Sequence, residues 1–129
     1  MSIHYKVLAR KNPQDPNAPE KYYGQAVITS KMDLDALAQR IAQNTTLGVG
    51  DIFGVLKSLE EAIINALTDG MAVELGGICD IYPQVSGPGA DTLEDFSAAV
   101  NVTRKRVRIR SKAKLNRSME TVALIRRES

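Results

Sequence analysis

The residues best suited to chemistry in this 129-residue chain form an alternating basic run, Arg104-Lys105-Arg106-Val107-Arg108-Ile109-Arg110. If the run is a β-strand, its four arginines project from one face at intervals of roughly 6.5–7 Å, twice the rise per residue. Each guanidinium can grip two oxygens, so such a row suits a chain of phosphates. Lys112, Lys114 and Arg117 extend the run to eight basic residues in fourteen. A merely solvated basic face is the simpler alternative.

The distribution of charge along the chain points to the same kind of partner. The formal net charge is only +2, yet residues 1–103 carry 7 Lys+Arg against 13 Asp+Glu, and residues 104–129 carry 10 against 2. Such asymmetry favours a polyanionic partner. Neutralisation of the acidic part by the basic part within one fold is the alternative.

The rest of the chain offers little for catalysis or metal binding. Cys79 and His4 are the only residues of their types, so we expect no disulfide framework, multi-cysteine zinc site or histidine-based catalysis. Gly76-Gly77 lacks the downstream Lys-Ser/Thr of a phosphate loop. We therefore predict a protein that is not an enzyme and that uses no cofactor, metal or small-molecule substrate.

The chain also lacks the hydrophobic segments of a secreted or membrane protein. Its longest unbroken apolar run is Val122–Ile125, far below the roughly 20 residues of a membrane span. The opening MSIHYKVLAR alternates polar and apolar residues, unlike a signal peptide. We expect one cytoplasmic domain, residues 1–129, without membrane contacts.

Hydrophobic spacing predicts an N-terminal hairpin followed by two helices. Residues 3–10 and 22–29 have strand character and flank a proline-containing loop. Asp33 is a candidate N-cap for a helix that ends near Asn44. A longer helix is predicted from about Asp51 to Leu67, and Asp69-Gly70 is the signal that ends it.

The second half of the chain is predicted to form a small sheet and two short final elements. The predicted strands are Met71–Leu75, Ile78–Val85 and Asn101–Arg110, followed by a short helix at Lys112–Met119 and a strand at Val122–Ile125. Pro83 has no backbone N–H to donate to a neighbouring strand, so its strand should be bulged or at an edge of the sheet there.

The long helix carries more apolar surface than one neighbouring helix would cover. A second copy of the chain would bury it, and a monomer that uses the N-terminal hairpin as cover is the alternative. The apolar residues of this helix recur at helical spacing and form one stripe. Its candidate dimer-interface residues are Ile52, Val55, Leu56, Leu59 and Ile63.

The order of these elements resembles the HU/IHF family of histone-like DNA-binding proteins over residues 33–117. The resemblance rests on Leu37–Ala42 with Thr46-Leu47, on Asp51–Gly70, on Val73–Leu75 with Gly77, and on Arg106–Lys112. It implies an IHF-like α+β fold. Residues 33–70 would form the helical dimer body, and residues 71–117 the antiparallel sheet, β-arm and short C-terminal helix. Residues 1–30 would be an N-terminal β-hairpin extension, and residues 118–129 a terminal strand.

The resemblance also implies a homodimer that binds double-stranded DNA in the nucleoid with low sequence preference, through phosphate contacts. The candidate DNA-binding residues are Arg104, Lys105, Arg106, Arg108, Arg110, Lys112, Lys114 and Arg117.

The chain departs from the family where the tip of the arm would lie. The family's Arg-Asn-Pro is missing, and we interpret Pro88 as a turn residue rather than a wedge between base pairs. Leu93-Glu94-Asp95 brings acids to this region. These acids favour the alternative function, a dimeric protein-interaction or scaffold module on the HU fold that has lost DNA binding.

Overall fold

The computed structural model describes residues 1–128, which form six strands and four helices. The elements are β1 (Ser2–Arg10), β2 (Lys21–Ala26), α1 (Leu34–Gln43), α2 (Val49–Thr68), β3 (Val73–Leu75), β4 (Cys79–Ser86), α3 (Ala98–Asn101), β5 (Arg104–Ser111), α4 (Ala113–Glu120) and β6 (Ala123–Arg126). In this described part, no helix combines the length and apolar character needed to cross a membrane.

The chain divides into two compact units. The central unit is Asp33–Arg117, and the terminal unit combines Met1–Met32 with the segment that begins at Ser118. These boundaries coincide with the ends of the segments that resemble the HU/IHF family. The prediction that residues 1–129 form one domain stays a prediction.

The two main helices form where the sequence predicts them. Asp33 caps α1, because its Oδ1 accepts a hydrogen bond from the Ala36 amide at 2.9 Å. α2 begins at Val49, two residues earlier than predicted, behind Gly48. Gly70 follows the end of α2 with a φ of +82°, a conformation that favours glycine.

The sheet of the central unit is antiparallel, with strand order β3-β4-β5. β4 is therefore the middle strand, but β3 pairs with it only as far as Ile81. Pro83 lies beyond that point, where β4 has β5 alone as a neighbour, so the prediction of a local edge is confirmed. Gly76, with a φ of +55°, turns the chain between β3 and β4.

Asn101 corrects one predicted boundary. The sequence places it at the start of a strand, whereas it ends α3, and β5 begins only at Arg104. Its side chain is 8% exposed, donates to the Pro88 carbonyl at 2.7 Å and accepts from the Ser97 amide at 2.9 Å. Asn101 thus ties together the tip segment, which we define as residues 87–103.

The terminal unit contains a mixed three-stranded sheet with strand order β2-β1-β6. β1 and β2 form the predicted antiparallel hairpin, with pairing from Tyr5 opposite Ala26 to Arg10 opposite Lys21. β6 runs parallel to β1, which the sequence did not predict.

Few side chains are fully covered by the chain's own atoms. Among the described residues, the buried apolar side chains are Ala38 of α1, Ile52 of α2 and Ile81 of β4. Ile52 is only 4% exposed, because its own chain covers it, and its assignment to a dimer interface stays a prediction. Val55 and Leu59 are 65% and 41% exposed, and Leu56 and Ile63 are half-buried.

We predict that Gly87→Ala destabilises the central unit. A Cβ at Gly87 would collide with the carbonyl group of Asn101, and overpacking of this kind costs about 1–3 kcal/mol. Gly89→Ala is the matched control, because a Cβ there meets nothing within 4 Å. Thermal unfolding and hydrogen exchange at the Thr103 amide, which donates to Ser86, measure the effect. Equal stability of the two variants would contradict this account of the tip segment.

Candidate nucleic-acid interface

Four arginines lie in a row along one face of the ribbon formed by β4 and β5. Directly paired residues of antiparallel strands share a face, and the register gives the pairs Ser86–Arg104, Gln84–Arg106, Tyr82–Arg108 and Asp80–Arg110. We call Arg104, Arg106, Arg108 and Arg110 the arginine row. Three intervals of two residues give the row a length of roughly 20 Å.

The opposite face of the ribbon is mostly apolar. Ile81 lies opposite Ile109, and Pro83 opposite Val107. Lys105 is on this second face, across from Val85. The alternation of charged and apolar residues in the sequence therefore becomes a separation of two faces, and Lys105 does not belong to the arginine row.

The arginine row is open to solvent and keeps its positive charge unpaired. All four residues are exposed, and within residues 1–128 none of them forms an ion pair. Three of the four cross-strand neighbours are neutral, and only Asp80 carries a charge. An exposed positive row with neutral polar neighbours attracts an extended polyanion.

Lys112 differs from the row because its ammonium group already has acidic partners. Its Nζ lies 3.1 Å from Asp80 Oδ1 and 3.8 Å from Glu74 Oε2, and its side chain is 28% exposed. The hydrogen bond to Asp80 raises the pKa of Lys112 above its ordinary value. Partial desolvation opposes this rise, and attraction to Asp80 and Glu74 adds to it. The positive charge of Lys112, which the sequence assigns to DNA contact, is therefore partly offset by two carboxylates of the same chain.

Lys114 and Arg117 stand on α4 rather than on the ribbon. The Lys114 side chain lies over the β3–β4 turn, since a Cβ on Gly77 would come within 2.7 Å of its Cδ. Arg117 is exposed in the last turn of α4. The structure thus gathers only the four arginines of the predicted set into one row.

The tip segment joins the ribbon at the Ser86–Arg104 end and has the opposite charge. Its charged residues are Asp91, Glu94 and Asp95, which are all exposed. Leu93 beside them is 88% exposed, and Phe96 is 51% exposed. The Pro88 carbonyl accepts a hydrogen bond from the Asn101 side chain, which fixes the backbone at Pro88, while Pro88 itself is exposed.

Sequence reasoning did not include the polar residues of β4 in the site. Tyr82, Gln84 and Ser86 stand beside the arginines on the same face. Their alternation with Ile81, Pro83 and Val85 is visible in the sequence and is the signal that could have placed them there. The ion pairs of Lys112 have no such signal, because Glu74 and Asp80 are distant from it in sequence.

This combination of a helical pair, an antiparallel sheet and a basic ribbon is an α+β fold shared with solved structures. A putative DNA-binding protein from Bacteroides vulgatus ATCC 8482 superposes with a TM-score of 0.65 at 18% identity, over 95% of this chain and 47% of that one. This chain therefore spans about half the length of that protein. The predicted fold class is confirmed.

Two shorter structures also match. A mutant of transcription factor 1 has a TM-score of 0.49 and 23% identity, over 69% of this chain and 91% of its own. An HU–DNA cocrystal structure from Anabaena has a TM-score of 0.49 and 17% identity, over 70% of this chain and 98% of its own. No curated protein sequence matches the chain.

A family model covers nearly the whole sequence. Residues 1–126 match the HU-HIG family, described as an HU domain fused to wHTH, Ig, or Glycine-rich motif. The chain belongs to this family, and the resemblance to HU/IHF proteins is confirmed.

We predict that Lys112→Ala lowers the melting temperature, because it leaves Asp80 and Glu74 side by side without their cation. Lys105→Ala is the control, since Lys105 is exposed and forms no ion pair within the described residues. The raised pKa of Lys112 also determines how its contribution to stability depends on pH. The stabilisation by Lys112 is complete below its ordinary pKa and is lost as the pH rises through the raised value. The difference in melting temperature between wild type and Lys112→Ala should therefore shrink in strong alkali; a constant difference would contradict the ion-pair role.

Proposed function

We propose that this chain is a non-enzymatic, architectural DNA-binding protein that acts as a homodimer in the bacterial nucleoid. The observation that carries the proposal is the arginine row, four exposed guanidinium groups on one strand face without ion pairs among the described residues. The family description names an HU domain, and the similar Bacteroides protein is named as a putative bacterial DNA-binding protein. Both support the proposal.

The proposed contact is with the phosphate backbone of duplex DNA. Duplex DNA carries one negative charge per roughly 1.7 Å of helix axis, so a row about 20 Å long meets several phosphates. Arginine suits this role because its planar fork can bind two phosphate oxygens. Lys114 and Arg117 remain proposed contacts. Lys112 contributes less because of Asp80 and Glu74, and Lys105 faces the other way.

Such binding should depend little on sequence. Base-specific recognition usually needs an element that offers polar side chains to the major groove. Each main helix carries one basic residue: Arg40 on α1, and Lys57 on α2 paired with Glu60 at 3.1 Å. The acidic tip segment is equally unsuited to enter the minor groove, so we do not propose that Pro88 wedges between base pairs.

The homodimer is proposed because a single chain leaves much apolar surface uncovered. The large apolar side chains left at least 37% exposed in the central unit include Leu37, Ile41, Val49, Val55, Leu59, Ile64, Val85, Val107 and Ile109.

The exposed apolar residues of α2 lie on both margins of its apolar stripe. Val55 and Leu59 are on one side of Ile52, and Val49 and Ile64 on the other. An open groove of about 430 Å³ also runs between Leu67 and Gly70 at the end of α2 and Val85 and Val107 of the ribbon. A second copy would cover surfaces of this kind.

A second candidate function is a dimeric interaction or scaffold module on the same fold. The tip segment favours it, since the exposed Leu93 and Phe96 lie among three carboxylates. Such a surface suits a protein partner better than a phosphate backbone. Complete failure of the wild type to bind DNA at low salt would favour this second function.

We predict that Arg106→Ala, Arg108→Ala, Arg110→Ala together weaken DNA binding and flatten its salt dependence. For a dimer that neutralises roughly six to eight phosphates, log K should fall with log salt at a slope of about −5 to −7. Loss of six arginines per dimer reduces the magnitude of that slope by about 5. Titrations of two unrelated duplexes at several salt concentrations give both quantities.

The matched control is Lys31→Ala, Arg40→Ala, Lys57→Ala, which removes the same charge from exposed positions outside the ribbon. It should keep a slope near that of the wild type. A folded arginine variant with unchanged affinity and slope would place the DNA-binding surface elsewhere.

We predict that Leu59→Asp disrupts the dimer. Leu59 is 41% exposed in the single chain, so its burial would be completed by the partner copy, and an unpaired charge in that interface costs several kcal/mol. Ser58→Asp introduces the same charge one position away, on the polar side of α2, and should stay dimeric. Sedimentation at micromolar concentration distinguishes the two. A wild type that sediments as a monomer would refute the proposed architecture.

A further inference from the structure

The sheet of the terminal unit has one face that is basic. Alternation along β1 puts Lys6 and Arg10 on the same face, and the pairing with β2 adds Lys21 opposite Arg10 and Tyr23 opposite Leu8. The other residues on this face are Ser2, His4, Leu8, Gln25, Ala123 and Ile125. We call it the basic face of the terminal unit.

The charge on this face is not neutralised by the surrounding residues. The face carries no carboxylate, and Lys6, Arg10 and Lys21 form no ion pair within residues 1–128. The acid next to it, Glu20, lies 3.8 Å from Lys11, which follows β1. Three cations are therefore left on one strand-paired surface.

Arg10 and Lys21 are direct cross-strand partners. Side chains in this position have Cβ atoms about 4.5–5.5 Å apart, and like charges there destabilise the sheet. A bound anion removes this repulsion and gains two cationic ligands at once. The pair is thus a position where anion binding and sheet stability favour each other.

The basic face also borders a concave surface. Arg10, Lys21 and Tyr23 line an open groove of about 400 Å³, whose other wall is formed by the loop between β1 and β2, including Pro13 and Pro19. Tyr23 is 48% exposed beside the two cations. The groove therefore combines positive charge with a tyrosine, whose hydroxyl can donate a hydrogen bond to a phosphate oxygen, and both suit a phosphodiester backbone.

We propose that the basic face of the terminal unit is a second DNA-contacting surface, which binds the phosphodiester backbone of a duplex. Lys6 and Arg10 are four residues apart, so their positions span about 13 Å along β1. That length fits an extended polyanion rather than a single phosphate ion. The proposal takes duplex DNA as ligand from the proposed function, but its location does not depend on the arginine row.

The test is the variant Lys6→Ala, Arg10→Ala, Lys21→Ala in the full chain, titrated with a random-sequence duplex at several salt concentrations. With this surface added, the wild-type slope of log K against log salt should exceed in magnitude the value of about −5 to −7 expected for the ribbon and α4 alone. Its magnitude should fall in the variant by about 2.7 for each chain that binds, which corresponds to three phosphates. Lys6→Arg, Lys21→Arg keeps the charge and should keep the slope. Lys31→Ala, Arg40→Ala, Lys57→Ala again serves as the control for loss of charge alone.

A second measurement locates the contact directly. In the background Arg106→Ala, Arg108→Ala, Arg110→Ala, added duplex should still shift the amide resonances of Arg10, Lys21 and Tyr23. The shift of the Tyr23 amide should vanish when Lys6, Arg10 and Lys21 are also replaced by alanine.

The results separate this inference from the proposed function. An unchanged slope in the terminal-unit variant, together with a flattened slope in the arginine-row variant, would overturn only the inference. A flattened slope in the terminal-unit variant, together with an unchanged slope in the arginine-row variant, would support the inference and show that the main DNA contact is not on the ribbon. Wild-type slopes in both folded variants would refute both surfaces.

Discussion

The pairing register of β4 and β5 is the constraint on which the proposed interface depends. Because side chains alternate between faces, a slip of one residue in β5 would move every arginine to the apolar side. The register is held at one end by the hydrogen bond from the Lys112 amide to the Ile78 carbonyl, and at the other by the hydrogen bond from the Thr103 amide to the Ser86 carbonyl. Together with the eight residue pairs between these ends, the two bonds keep the basic row on the solvent side of the ribbon.

The two ends of the ribbon also set how its charge is distributed. At the base, Lys112 offsets part of the negative charge of Asp80 and Glu74, which would otherwise weaken the field around Arg110 more strongly. At the far end, the two hydrogen bonds of Asn101 tie Pro88 to Ser97, which flank the acidic residues of the tip segment. The positive charge available to a phosphate backbone is thus concentrated between these ends, on the middle of β5.

The linear balance of charge gives an incomplete picture of where the basic surfaces lie. Of the ten basic residues in 104–129, four form the arginine row, while Arg126 and Arg127 belong to the terminal unit. The basic face of the terminal unit takes Lys6, Arg10 and Lys21 from the part of the chain that is acidic in total. Pairing of strands, rather than nearness in sequence, assembles both surfaces.

The sequence by itself determined the features that arise from local spacing: the capped start of α1 at Asp33, the hairpin of β1 and β2, and the alternation that separates Arg108 from Val107. Only the tertiary structure decided the features that join distant residues. The ion pairs of Lys112, the burial of Asn101 and the pairing of Arg10 with Lys21 are of this second kind. The physical reason is that period and capping act within a few residues, whereas ion pairs, burial and cross-strand neighbours depend on the register and packing of the whole chain.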